Sequence, residues 1–236
     1  MRTTAYIKRL PLHILVVALL FIVSLVAFGH IIHDVIIQKE HEFDMRVLGW
    51  VNGVHTRQMT KVMRAITHLA SREFLQIGYS VLLLWFLLVL KRKRVAADIA
   101  AIGITGFLIN FSLKRLFQRV RPDGQLIEEL KNFSFPSGHA SGGFIFYGLV
   151  TYLVWKEDIS RTWKWIISVL LLLIVLLIGF SRIYLRVHYA TDVIAGFCVG
   201  LAWLTMALWL LERLKRRKLA GENNGTEEIP AGRQAR

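Results

Sequence analysis

Six apolar stretches of about 17 residues or more, each long enough to cross a bilayer as helix, constrain this chain more than any other feature. They run from about Leu10 to Ala27, Phe74 to Leu90, Val95 to Leu113, His139 to Trp155, Trp163 to Phe180 and Ala190 to Leu211. A soluble domain scatters its apolar residues with helical or strand periodicity. Here 55% of 236 residues are hydrophobic and lie in blocks, for a mean hydropathy of +0.49. The expected fold is an all-α membrane protein, one bundle of six transmembrane helices within residues 1–211. A basic, disordered tail is expected over residues 212–236, where Gly, Asn, Glu and Pro accumulate. The first run resembles a signal peptide in having Arg2, Lys8 and Arg9 before it. It is longer than a signal core and no A-x-A site follows it, so it reads as an uncleaved span.

The net charge of +14 would suit a nucleic-acid binder in a soluble chain, but here the cations flank apolar runs. Membrane topology explains them, and no nucleic-acid partner is expected. Six spans put both termini on one side, together with Lys91–Arg94, Lys156, Arg161, Lys164 and the cluster from Arg213 to Lys218. The positive-inside rule makes that side the cytoplasm. Lys39, Arg46, Arg57, Lys61, Arg64 and Arg72 lie in the first connection and oppose the assignment, but long loops count for less. Within that connection Met59, Val62, Met63, Ile66 and Ala70 recur with helical periodicity. They predict an amphipathic helix, lying either at the membrane interface or packed on the bundle as an ordinary loop helix. Cys198 is the only cysteine, so no intrachain disulfide forms.

Three polar clusters interrupt the apolar pattern, each where a run begins or ends, and all on the side opposite the cytoplasm. Lys114 and Arg121-Pro122 follow the third run; in a continuing helix the two cations would share a face, and the proline ends the helix near Arg121. Cations at a helix C-terminus also simply suit the macrodipole, which suffices for Arg115 and Arg119. Pro136-Ser137-Gly138-His139 opens the fourth run, where unpaired N–H groups favour an anion; read alone, P-S-G is equally good capping chemistry. Ser181-Arg182 ends the fifth run, and His188 and Asp192 precede or open the sixth. Spaced four apart, these last two share a face on a helix, and an Asp near the membrane end of an apolar run points to function. Two histidines, one carboxylate and three cations meeting at one membrane surface would form a phosphate-handling site.

Taken together, K-x6-R-P (Lys114 to Pro122), P-S-G-H (Pro136 to His139) and S-R-x5-H-x3-D (Ser181 to Asp192) resemble the signature of the type 2 phosphatidic acid phosphatase superfamily, with every spacing matched. The resemblance implies that His188 is the nucleophile forming a phosphohistidine, that Asp192 orients it, and that His139 protonates the leaving group. It further implies that Lys114, Arg121, Ser137, Gly138 and Arg182 hold the phosphate oxygens, with no metal and no cofactor. The histidines at 13, 30, 33, 41, 55 and 68 match no motif, and His30 and His33 read as interfacial rather than metal-binding.

The expected function is hydrolysis of a phosphomonoester or diphosphate of a membrane lipid at the outer face of a bacterial plasma (inner) membrane. By resemblance the candidate substrates are phosphatidylglycerol phosphate, phosphatidic acid and undecaprenyl diphosphate, with lipid A phosphate as a further one. A lipid phosphotransferase would use the same site, and product analysis with an acceptor alcohol separates the two. A non-catalytic anion carrier would leave the paired histidines unexplained. Oligomeric state is not fixed by the sequence, since Gly196 and Gly200 suit internal packing and a dimer face equally.

Overall fold

A computed structural model describes residues 12–127 and 132–226. Arg2, Lys8, Arg9, Leu10 and residues 227–236, which entered the topology and tail expectations, lie outside the described residues. Within them all regular structure is helical: α1 (Leu12–Ile31), extended by a π-helical turn (Ile32–Ile37); α2 (Glu42–Gly53); α3 (Arg57–His68); α4 (Arg72–Leu84), extended by a second π-helical turn (Trp85–Val89); α5 (Lys93–Phe117); α6 (Gly138–Lys156); α7 (Arg161–Tyr184); and α8 (Ala190–Thr226). Short hydroxyl side chains start four of them. Thr56 caps α3, Ser71 caps α4, Ser137 caps α6 and Ser160 caps α7, each accepting from a backbone N–H three residues on.

Five helical stretches are long and apolar enough to cross a membrane: Ile14–Ile37, Arg57–Val89, Lys93–Phe117, Arg161–Tyr184 and Ala190–Lys215. Leu19, Val26, Ile77, Ile104, Phe107 and Leu172 stand exposed on them, a surface that hydrocarbon accepts and water does not. The chain is thus a multi-pass membrane protein. The fourth expected run is helix α6, which is absent from these five. Its sequence carries Gly, Ser, Tyr and Thr because its sides face other helices: Ala140, Ser141, Gly143, Ile145, Phe146, Tyr147 and Leu149 are all buried.

α6 packs against α5, α7 and α8, and α8 also packs along α1. One core joins Phe86, Ile99, Ile102, Ile145, Leu149 and Leu204. In a bilayer apolar burial does not itself drive helices together, so close backbone approach has to do so. Gly196 and Gly200 provide it on α8. A methyl at Gly196 would lie 2.7 Å from the Ser137 carbonyl oxygen, and one at Gly200 would lie 2.9 Å from Phe144 Cβ. Both glycines therefore serve internal packing.

One expectation changes and one open choice narrows. The described part of the segment after Leu211 is helix as far as Thr226, since Leu, Glu, Arg, Lys and Ala are strong helix formers. The amphipathic segment is α3, and its Met63 is buried among Val51, Tyr184, Leu185 and Val187, so that side of the helix packs on the bundle. Met59 and Val62 remain exposed.

Gly196→Ala is expected to destabilise the protein by about 1–3 kcal/mol through overpacking against fixed backbone. Gly49→Ala, where an added methyl meets nothing within 4 Å, serves as the control and should be neutral or mildly stabilising. Thermal unfolding in detergent micelles separates them; equal melting temperatures would contradict the packing argument.

Candidate active site

α5 stops at Phe117, where Gln118 takes a left-handed backbone (φ +47°) and returns its N–H to the Lys114 carbonyl at 3.1 Å. The helix thus ends before Arg121. Lys114 and Arg121 reach the same place from a helix end and from the loop after it, rather than from one helix face. Lys114 Nζ donates to the carbonyls of Phe133 (2.8 Å) and Ser134 (3.1 Å). Arg121 is buried; its Nε and one terminal nitrogen hold Asn132 at 2.8 and 2.6 Å, and the other donates to the Val187 carbonyl and to His188 Nε2, the latter at 3.2 Å.

The first turn of α6 faces the same space. A side chain on Gly138 would meet Asn110 Oδ1 at 3.1 Å and Lys114 Cε at 3.7 Å, so glycine keeps the helix N-terminus open beside the lysine. Ser137 is fully buried. Its hydroxyl accepts from Ala140 N at 3.4 Å and its own N–H donates to the Asp192 carbonyl at 2.9 Å. The structure therefore displays its capping role. His139 lies within electrostatic range of Arg182, His188, Arg121 and Lys114. Beneath them Asn110 Nδ2 donates to Ser141 Oγ at 2.8 Å and fastens α5 to α6.

Arg182, in the last turn of α7, is buried, and its NH1 donates to Thr67 Oγ1 at 2.8 Å while its Nε has no partner. The chain then turns into α8. His188 lies before that helix rather than on it, so its pairing with Asp192 arises from the turn and not from helical spacing. Asp192 occupies the third helical position, and its Oδ2 accepts from Tyr189 N at 3.0 Å, one half of a capping box. The same oxygen faces His188 Nδ1 at 3.4 Å. Because an arginine N–H can only donate, Nε2 of His188 is the acceptor and the proton sits on Nδ1, against the carboxylate. Burial holds His188 well below the usual imidazole range, and the charges of Arg121, Lys114 and Arg182 add to that effect. Burial also lowers Arg121, to about 10, which leaves it charged at neutral pH.

All eight residues predicted from the motifs gather at one end of the bundle, and two more belong with them. Arg119 is buried and forms ion pairs with Asp192 Oδ1 (2.6 Å) and Asp44 Oδ2 (2.8 Å). Asp44 in turn accepts from Thr191 N at 2.9 Å and Thr191 Oγ1 at 2.6 Å. Arg119 departs from the dipole role expected of it. It is instead the cation whose charge is consumed within the protein, whereas among the described residues Lys114, Arg121 and Arg182 join no ion pair. Asp44 carries no distinguishing signal in a loop that also holds Glu40 and Glu42.

Three buried or half-buried cations without carboxylate partners among the described residues, set beside a helix N-terminus, are an arrangement suited to an anion of two or more charges. Thr67→Val, which removes the hydroxyl partner of Arg182, is expected to weaken inorganic phosphate about 2- to 10-fold, the worth of one hydrogen bond. Titration calorimetry on the detergent-solubilised protein measures this. Unchanged affinity would remove Thr67 from the account.

Comparison with known proteins agrees with the geometry. The sequence model of the PAP2 superfamily matches residues 94–216. The chain is 31% identical over 159 residues to phosphatidylglycerophosphatase B of Bacillus subtilis, covering 67% of this chain and 78% of that protein. It is 32% identical over 142 residues to an undecaprenyl-diphosphatase of Sulfolobus acidocaldarius, covering 57% of this chain and 62% of that one. The crystal structure of a transmembrane PAP2-type phosphatidylglycerolphosphate phosphatase from Bacillus subtilis superimposes with a TM-score of 0.73 at 28% identity, covering 85% of this chain and 98% of that one. With more than half its length matched and the full set of motif residues gathered at one site, the chain belongs to the PAP2 superfamily.

Proposed function

We propose that this protein removes phosphate from a membrane lipid phosphate or diphosphate, through a phosphohistidine on His188. The observation that carries the reading is the contrast between Arg119, neutralised by two carboxylates, and Lys114, Arg121 and Arg182, which join none among the described residues. Those three, with the N–H groups of Gly138 and His139, are suited to the oxygens of a phosphoryl group. Phosphoryl transfer requires little of a protein beyond positioning and charge stabilisation.

The chemistry follows from the atoms. The Nε2 lone pair of His188 attacks phosphorus, while Asp192 holds the Nδ1 proton and supports the positive ring that forms. The bond from phosphorus to the bridging oxygen breaks, and His139 gives that oxygen a proton as the alcohol or lipid phosphate leaves. Water then gives its proton to His139 and attacks phosphorus, the P–N bond breaks, and inorganic phosphate departs. Arg121 already touches Nε2, so its guanidinium stands where the phosphoryl oxygens arrive. No step calls for a metal.

α6 serves as the sixth span in this reading, both termini are cytoplasmic, and the site opens on the outer face of a bacterial plasma membrane. The activities for which its relatives are named support phosphatidylglycerol phosphate and undecaprenyl diphosphate as substrates beside phosphatidic acid.

Phosphate release from these three lipids in EDTA, with wild type beside His188→Ala, tests the proposal. Wild type should retain full activity and the variant should lose at least about 1000-fold. Equal release by the variant would sink the mechanism; release to an added acceptor alcohol in place of water would make the protein a transferase. The acid limb of kcat/KM should also fall below the ordinary imidazole range, because a proton on His188 removes the nucleophile and the site disfavours that proton. An acid limb at or above that range would count against His188 as the nucleophile.

A further inference from the structure

The buried network behind the dyad is more than a brace. Asp192 is completely buried, and its Oδ1 is bound by Arg119 NH1 at 2.6 Å. The other terminal nitrogen of Arg119 binds Asp44 at 2.8 Å, and Arg119 NH1 also reaches Thr191 Oγ1 at 2.9 Å. Thr191 closes the ring by donating its N–H and its hydroxyl to Asp44. The guanidinium lies 4.1 Å from the ring centroid of Tyr189, which adjoins His188 in the chain. His41 sits at the outer edge, 3.3 Å from Arg119 NH2. Two buried carboxylates thus share one buried guanidinium, and the dyad's own carboxylate is one of them.

We infer that Arg119 and Asp44 are positioning residues that fix the orientation and the effective charge of Asp192, and through it the protonation of His188. Asp192 has one oxygen for the imidazole only because Arg119 holds the other. Arg119 does not draw away all of the Asp192 charge, because Asp44 shares it. Asp44 comes from α2, in the first connection between spans, so that loop is built into the reaction centre.

The charges facing His188 come from every side: Lys114 from α5, Arg121 from the loop after it, His139 from α6, Arg182 from α7 and Asp192 from α8, with Arg119, Asp44 and His41 behind the last. Changing Asp44 or Arg119 alters this balance in opposite senses. Asp44→Asn leaves Arg119 less neutralised, makes the site more positive and disfavours a proton on His188, so the acid limb of kcat/KM moves to lower pH. Arg119→Met leaves two carboxylates without their cation and favours that proton, so the limb moves to higher pH.

This inference rests on His188 being the nucleophile, and His188→Ala is assayed alongside. The measurement is the pH profile of phosphate release from a short-chain phosphatidic acid by the full-length protein in detergent, with melting temperatures recorded for each variant. Asp44→Asn should lower kcat about 10- to 100-fold, as second-sphere partners do, with KM within about twofold. Its acid limb should shift down, that of Arg119→Met up, and Asp44→Glu, which keeps the charge, should restore the wild-type limb. If Arg119→Met does not fold, the Asp44→Asn and Asp44→Glu pair decides by itself. Limbs that coincide, or move the same way, would reduce the network to a structural brace and overturn the inference while leaving the phosphatase reading intact. An active His188→Ala would overturn both.

Discussion

One buried carboxylate holds the three motif segments together. Asp192 faces His188 and caps its own helix through Oδ2, and meets Arg119 through Oδ1. Its backbone carbonyl takes the N–H of Ser137 at 2.9 Å. The segment after α5, the start of α6 and the turn into α8 are therefore joined at a single residue. An unpaired carboxylate there would be expensive to bury, by several kcal/mol. The need to satisfy it fixes how the surrounding segments are arranged.

Around this point the charges are sorted by whether the protein answers them. Arg119 is answered twice, by Asp44 and Asp192. Among the described residues Lys114, Arg121 and Arg182 meet uncharged groups (carbonyls, an amide, a hydroxyl and the His188 imidazole), which orient their N–H groups but leave the positive charge standing. A neutral His188 fits that field, since burial and nearby cations both oppose a second proton. In the proposed function an arriving phosphate would supply the missing negative charge, so binding and electrostatic completion of the site would be one event.

The helical class, the approximate spans and the eight motif residues are legible in the sequence, because membrane-length runs and fixed spacings each carry a physical reason. The start of α6 is legible at Ser137, where the cap was read from the sequence, whereas the caps at Ser71 and Ser160 set starts two residues before the expected Phe74 and Trp163. The spatial logic is less so. Lys114 and Arg121 invited a helical reading that the left-handed Gln118 cancels, and the pairing of His188 with Asp192 looked like helical periodicity but is made by a turn. Arg119 resembled a dipole cation until Asp44 appeared opposite it. A contact between residues 75 positions apart leaves no periodic trace, and one acidic residue in a polar loop looks like any other. Thr67, Asn132 and Thr191 were invisible for the same reason: each matters through one long-range hydrogen bond.

The composition of α6 has a consequence for biogenesis. Read as the sixth span, a helix with this share of Gly, Ser, Thr and Tyr gains less from hydrocarbon than its neighbours do, and its contacts with α5, α7 and α8 hold it in place. Of these, α7 and α8 are synthesised after it. The helix that presents Gly138 and His139 would therefore settle late, when the chain behind it is already in place. On the proposed function, an incompletely inserted chain would lack the cation cluster's helix N-terminus altogether, so phosphate turnover would report on completed assembly of the bundle as well as on chemistry.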